Sequence, residues 1–150
     1  MGCTGGAELG TDAVPRVRRI LETALYVEDL DRAVRFYESV MGLNVMSRGD
    51  RLAALDAGEG TVLLLFLRGA TTSGASFKGG WIPPHDGGGP AHFALAIDAD
   101  EFDAWRGHLM AEGVDIESEV SWERGGRSMY FRDADGYSVE LATPGVWPVF

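Results

Sequence analysis

"GGGPAHFALAID", residues 87–98, is the stretch from which the fold can be read. Three glycines and Pro90 close a loop, and His92-Phe93-Ala94-Leu95-Ala96-Ile97 follows in strict alternation. In a strand, successive side chains go to opposite faces. Phe93, Leu95 and Ile97 then form a bulky apolar face, while His92, Ala94 and Ala96 form a small-residue face carrying one imidazole. A face packed inside a core is filled with large side chains. The alanine face is therefore expected to border a cavity, with His92 in its wall.

The same plan is written earlier in the chain. Residues 20–27, "ILETALYV", alternate as a strand. "EDLDRAVRFYESVMGL" follows, with Leu30, Ala33, Val34, Tyr37, Val40 and Met41 at helical spacing. Asp29 is the expected N-cap and Gly42 the expected C-cap. "LNVMSR", "RLAALDA" and "TVLLLFL" supply three more strands, giving β-α-β-β-β. Behind the strand of His92, "DADEFDAWRGHLMAEG" reads as a helix with Phe102, Trp105, Leu109 and Met110 on its apolar side. "VDIESEV", "RSMYFRD" and "YSVELAT" complete the repeat. Laying Glu22–Val27 over His92–Ile97, and "GTVLLLF" (60–66) over "GYSVELA" (136–142), sets Leu64 against Glu140. The expected fold is α+β, with two βαβββ modules forming curved, barrel-like mixed sheets and helices on the outer face. The modules span residues 20–68 and 91–144, joined by a loop at 69–90, within one domain at 19–150 that follows a flexible tail at 1–18. The faces left free by the helices carry Glu22, Leu64, His92 and Glu140, three of which can bind a cation.

The bulk properties narrow the partners. A net charge of −10 argues against a phosphate-backbone partner, which is held by clustered Lys and Arg. The single cysteine, Cys3, allows neither an intramolecular disulfide nor a cysteine-based zinc site. No apolar run reaches the ~18 residues of a membrane span, and the first residues lack the apolar segment of a signal peptide. A cytoplasmic protein without nucleic-acid or membrane partners is expected.

Taken together, "LYVEDLDRAVRFYESVMGL", "GPAHFALAI" and "FRDADGYSVELATP" resemble the vicinal oxygen chelate superfamily of glyoxalase, bleomycin-resistance and extradiol dioxygenase proteins. The resemblance covers about residues 20–144. It implies paired βαβββ modules curling around one divalent ion, with ligands on the first and last strands of each module. Carried over by position, the metal ligands are Glu22, His92 and Glu140, and Leu64 fills the fourth place. The family usually has histidine where Glu22 stands. Glyoxalase I has a carboxylate where Leu64 stands, which speaks against lactoylglutathione lyase activity. Extradiol dioxygenases use two histidines and a carboxylate on iron. Two carboxylates and an imidazole make a three-point face with open positions for substrate and water, suited to Mn, Fe, Zn, Ni or Mg rather than copper. The resemblance also implies that chains this short form homodimers, in which Glu22 of one copy meets His92 and Glu140 of the other.

Other residues carry weaker signals. Glu22 alone reads equally as a solvated strand-start residue. Loop 69–90 lacks periodicity, and Trp81 and Ile82 in it suit closure over an apolar ligand or simple pinning to the surface. His85, seven residues before His92, is an acid–base candidate or faces solvent. Arg127 would suit a carboxylate or phosphate of a substrate. Tyr26, Tyr130, Trp81 and Trp122 are candidate substrate contacts. His108 is expected at the surface, and Phe36, Tyr37, Phe102 and Trp105 in the core. Two functions follow. One is a metal-dependent lyase, isomerase or dioxygenase-like enzyme whose ion chelates vicinal oxygens of a small substrate, with Glu140 or His85 moving the proton. The other is a metal-free protein of the bleomycin-resistance kind that sequesters a bulky drug.

Overall fold

The computed structural model describes residues 14–150. The part of the expected tail at 1–13 lies outside them, and residues 14–21 carry neither helix nor strand. The first module is β1 (Glu22–Val27), α1 (Leu30–Arg35), β2 (Asn44–Arg48), β3 (Leu52–Gly58) and β4 (Thr61–Leu67). After a short hairpin of β5 (Ala75–Phe77) and β6 (Gly80–Ile82), the second module runs β7 (His92–Ala96), α2 (Phe102–Ala111), β8 (Ile116–Ser121), β9 (Arg127–Arg132) and β10 (Ser138–Ala142). The hairpin is structure that the aperiodic sequence of 69–90 did not announce. No helix among the described residues is long and apolar enough to cross a membrane.

Local chemistry sets the element ends. Asp29 caps α1, its Oδ1 accepting from Arg32 N at 3.0 Å, so one of the free first-turn donors is satisfied. The helix then widens into a π-turn over Phe36–Val40, closed by Met41 N donating to Phe36 O at 3.2 Å. Gly42 follows at φ +72°, the left-handed conformation that ends helices and suits glycine.

Each module is a four-stranded mixed sheet, ordered β1-β4-β3-β2 and β7-β10-β9-β8. The two parallel pairs have the same register. Glu22 stands opposite Val62 and Ala24 opposite Leu64, as His92 stands opposite Ser138 and Ala94 opposite Glu140. The repeat read from the sequence is thus the repeat of the fold.

The bulky faces of both sheets share one core. Tyr37, Leu55, Leu65, Phe102, Phe131 and Leu141 are fully buried in it. Each such apolar or aromatic side chain contributes on the order of 2 kcal/mol by leaving water. The π-turn after α1 sits between the sheets: Phe36 packs on Phe131 and Tyr37 on Phe93, with ring centroids 6.5 Å and 6.3 Å apart. Phe131 and Phe93 are on the faces opposite to Tyr130 and His92. The small-residue faces of the two sheets are therefore turned away from the shared core. Polar ties fix this arrangement. Tyr37 donates to Asp133 Oδ2 at 2.5 Å, and Tyr137 Oη donates to Tyr26 O at 2.6 Å.

Three expectations about α2 and its neighbours need correction. His108 is half-buried rather than a free surface residue, and its Nε2 donates to Val40 O at 2.6 Å, pinning α2 to the π-turn. Met110 is 66% exposed, because it lies about 100° round the helix from Leu109, which takes the core position. Arg127 does not face the cavity. It lies on the helix side of β9, its guanidinium 4.0 Å from the Phe102 ring centroid and 3.7 Å from Asp103 Oδ1.

Candidate functional site

One half of the site is built on β7, β9 and β10. His92 Nδ1 donates to the Ser138 carbonyl at 3.0 Å, which fixes the ring's orientation and leaves Nε2 for another partner. That nitrogen lies 3.2 Å from Glu140 Oε1. A carboxylate oxygen only accepts, so a proton or a cation belongs between these two atoms. Glu140 is 7% exposed, and its second oxygen, Oε2, accepts from Ser128 Oγ at 2.6 Å. Ser128 in turn accepts from Trp122 Nε1 at 2.9 Å. Tyr130 is paired with Glu140 across the antiparallel ladder, and its ring centroid lies 6.0 Å from that of His92. Burial, with the charge of Glu140 beside it, pushes the Tyr130 phenol above its ordinary pKa.

The other half is built on the first module and loop 69–90. Glu22, Leu64, Phe66, Arg51, Leu52 and His85 line a cleft of about 510 Å³. His85 Nδ1 and Tyr26 Oη are hydrogen bonded at 2.6 Å, and the His85 ring stands edge-on to Phe66 at 4.7 Å. The backbone of His85 is tied as well, its N–H donating to Thr71 O at 3.1 Å while Thr71 Oγ1 donates to its carbonyl. Burial, with the negative charge of Asp86 nearby, pushes the Tyr26 phenol up, so it stays protonated at neutral pH. His85 is thus a tethered member of the Glu22 cleft rather than a solvent-facing residue. Trp81, by contrast, is 60% exposed and lies over Gly74, where an added β-carbon would come within 2.9 Å of its indole nitrogen. Ile82, beside it, lines the cleft.

The two halves do not meet within one chain. Among the described residues, no three His, Cys, Asp or Glu side chains are grouped to hold a metal ion. The physical reason is the π-turn after α1, whose Phe36 and Tyr37 pack against the bulky face of the second sheet and leave the small-residue faces outward. The expected grouping of Glu22 with His92 and Glu140 is therefore not made inside a single copy. Sequence reading also missed Ser128 and Arg51. Ser128 could have been found from parity, since it shares a strand face with Tyr130. Arg51 sits in a turn with no periodicity to place it, and it has no carboxylate partner among the described residues, unlike Arg32, Arg48, Arg68, Arg106 and Arg132.

The donor chemistry of the His92–Glu140 half fits a divalent ion. An imidazole nitrogen and a carboxylate oxygen face one another, and the second atom of each group is already occupied by a fixed partner, as is usual around metal ligands. Paired βαβββ modules with an imidazole and a carboxylate on the first and last strands define a glyoxalase-type protein. The chain belongs to the Glyoxalase/Bleomycin resistance protein/Dioxygenase superfamily, whose family model matches residues 19–141. It is 30% identical over 128 residues to a probable lactoylglutathione lyase of Vibrio cholerae, covering 82% of this chain and 88% of the relative. It is also 30% identical over 128 residues to a metallothiol transferase FosB of Lysinibacillus sphaericus, covering 85% and 83%. The crystal structure of a lactoylglutathione lyase from Agrobacterium tumefaciens superposes with a TM-score of 0.81 at 32% identity, over 89% of this chain and 99% of that one.

Proposed function

We propose that this protein is a divalent-metal-dependent enzyme of the lyase or transferase type, acting on a small substrate held through vicinal oxygens. The observation that carries the reading is the His92–Glu140 pair, whose free atoms converge at 3.2 Å while Ser138 and Ser128 occupy the other atom of each group. A protein that merely sequesters a drug has no use for that arrangement. The relatives named above include both a lyase and a thiol transferase, and the three-donor set narrows the choice. With Leu64 in the fourth position, the carboxylate that glyoxalase I has there is absent, which leaves addition or elimination as the favoured chemistry.

Glu22, His92 and Glu140 would hold the ion, with Glu22 supplied by a second copy of the chain in a homodimer. Bound there, a divalent ion supplies Lewis acidity toward two neighbouring substrate oxygens. The chain's own residues do the rest. Glu140 can take a proton at Oε1 only when that oxygen is not engaged by the ion, since Ser128 occupies its Oε2. His85 offers Nε2 to the cleft, because Tyr26 occupies its Nδ1. Leu52, Leu64 and Phe66 receive the apolar body of the substrate and displace water from it. Arg51, without a carboxylate partner among the described residues, lies at the same cleft and takes the role expected of Arg127, donating to a carboxylate or phosphate group.

The decisive experiment is metal analysis of protein purified without chelator, followed by titration with Mn, Fe, Ni and Zn. A stoichiometry near one ion per site supports the reading, and a chain that stays metal-free through all four titrations refutes it.

A further inference from the structure

Ser128 is 0% exposed, on a strand whose neighbours Met129 and Phe131 are equally buried. A buried hydroxyl in such a setting is costly unless its bonds are made. Here both are made, and their direction is fixed. The Trp122 indole nitrogen can only donate, so at 2.9 Å it uses an acceptor lone pair of Ser128 Oγ. The single hydroxyl proton then points to Glu140 Oε2 at 2.6 Å, with the Tyr130 phenol beside the same two groups. The chain runs from Trp122 through Ser128 to Glu140, and it ends on a carboxylate oxygen that accepts.

The start of this chain is anchored in backbone. Trp122 N donates to Gly126 O at 2.7 Å, and Gly125 N donates to Trp122 O at 3.0 Å, closing a tight turn. At Gly126 a β-carbon would come within 2.3 Å of Val146 N, so the turn crosses the C-terminal segment at backbone distance. Arg127 N, next in sequence, donates to Thr143 Oγ1 at 2.8 Å. A glutamate side chain otherwise samples many rotamers. With Oε2 tied to this frame, Oε1 is left facing His92.

We propose that Ser128 is a positioning residue, anchored by Trp122, that holds the Glu140 carboxylate in the orientation for ligating a divalent cation together with His92. The proposal rests on the metal reading above. It also makes the Trp122 indole a reporter of that site, two hydrogen bonds from the ligand carboxylate.

The test titrates metal-stripped full-length protein with Mn²⁺ and Zn²⁺ alone, reading bound metal by equilibrium dialysis and tryptophan fluorescence in parallel. Ser128→Ala is expected to weaken binding roughly ten- to hundredfold, as loss of an outer partner of a metal ligand does. Ser128→Thr keeps the hydroxyl and should restore binding to within about threefold. Trp122→Phe should weaken it less than Ser128→Ala, and should abolish the metal-dependent fluorescence change despite the other three tryptophans. Wild-type-like binding by Ser128→Ala would overturn the positioning role while leaving the metal reading intact. Equal weakening of the Ala and Thr variants would trace the effect to packing and overturn it too. If the wild-type protein binds neither ion, and neither Fe nor Ni in the same dialysis, the metal reading falls first and takes this proposal with it.

Discussion

Tyr37 and Asp133, from different modules, meet in a 2.5 Å hydrogen bond inside the shared core. Asp133 also accepts from Asp135 N and Tyr137 N at 2.9 Å each, so the turn before β10 is organised around one carboxylate. Tyr137 then reaches Tyr26, whose hydroxyl meets His85. The relative placement of the modules and the positioning of the Glu22 cleft are thus joined through a single polar network.

Removing the Tyr37 hydroxyl leaves a buried carboxylate short of a donor. Tyr37→Phe is expected to lower unfolding free energy by about 1–3 kcal/mol. Urea denaturation measures this directly, and an unchanged midpoint would show that the tie between modules is energetically idle.

Asp133 also gives the protein a pH signature. Burial pushes its pKa above the ordinary carboxylate value, against the lowering effect of its hydrogen bonds. The folded chain then keeps this proton to higher pH than the unfolded chain does. Its contribution to stability is fully present below about pH 4 and is lost as pH rises through the raised value. Asp133→Asn should remove that loss. The gap in unfolding free energy between wild type and variant should therefore narrow or reverse from pH 3.5 to pH 6. A gap that is constant across the range would contradict the raised pKa.

Much of this was legible in the sequence because strand alternation and an internal repeat are local signals. His92 against Phe93, and Glu140 against Val139 and Leu141, fall on the faces their parity dictates. Asp29 caps the helix it precedes. What was not legible depends on distance or on finer parity. Arg127 and Tyr130 lie three apart on one strand, so they cannot share a face, and only Tyr130 is on the cavity side. The outward orientation of the two small-residue faces follows from Phe36 and Tyr37 of the π-turn packing on Phe131 and Phe93, contacts between segments far apart in sequence. Ser128 looks like an inert small residue until Trp122 and Glu140 are placed on either side of it.

His92 is the strongest single test of the metal reading. His92→Ala should lower metal content at least about tenfold, since one of three donors is lost. Glu22→Ala should also lower it, even though Glu22 is remote from the pair within one chain. If only the His92 variant loses metal, the ion is held without the first module.

Leu64 bears on the reaction. Negligible isomerisation of the methylglyoxal–glutathione hemithioacetal is expected, since no carboxylate stands in the fourth position. Leu64→Glu should supply that donor and raise metal affinity. Robust turnover by the wild-type protein would mean that a different residue provides the missing oxygen.

Assembly decides whether Glu22 can join His92 and Glu140 at all. Both small-residue faces point away from the core of one chain, and apolar side chains such as Leu52, Ile82 and Trp122 are left partly exposed on them. A twofold dimer that sets the first module of one copy against the second module of another would cover these faces and create two equal sites. Complementation tests this. Glu22→Ala and His92→Ala chains are unfolded together and refolded. In a mixed dimer, one site then carries both substitutions and the other carries neither. With random pairing, roughly a quarter of all sites become intact, and metal binding should return to that extent. Refolding each variant alone should restore none. Sedimentation of the wild type as a monomer, or a mixture that binds no more metal than its parents, would rule out a site shared between copies.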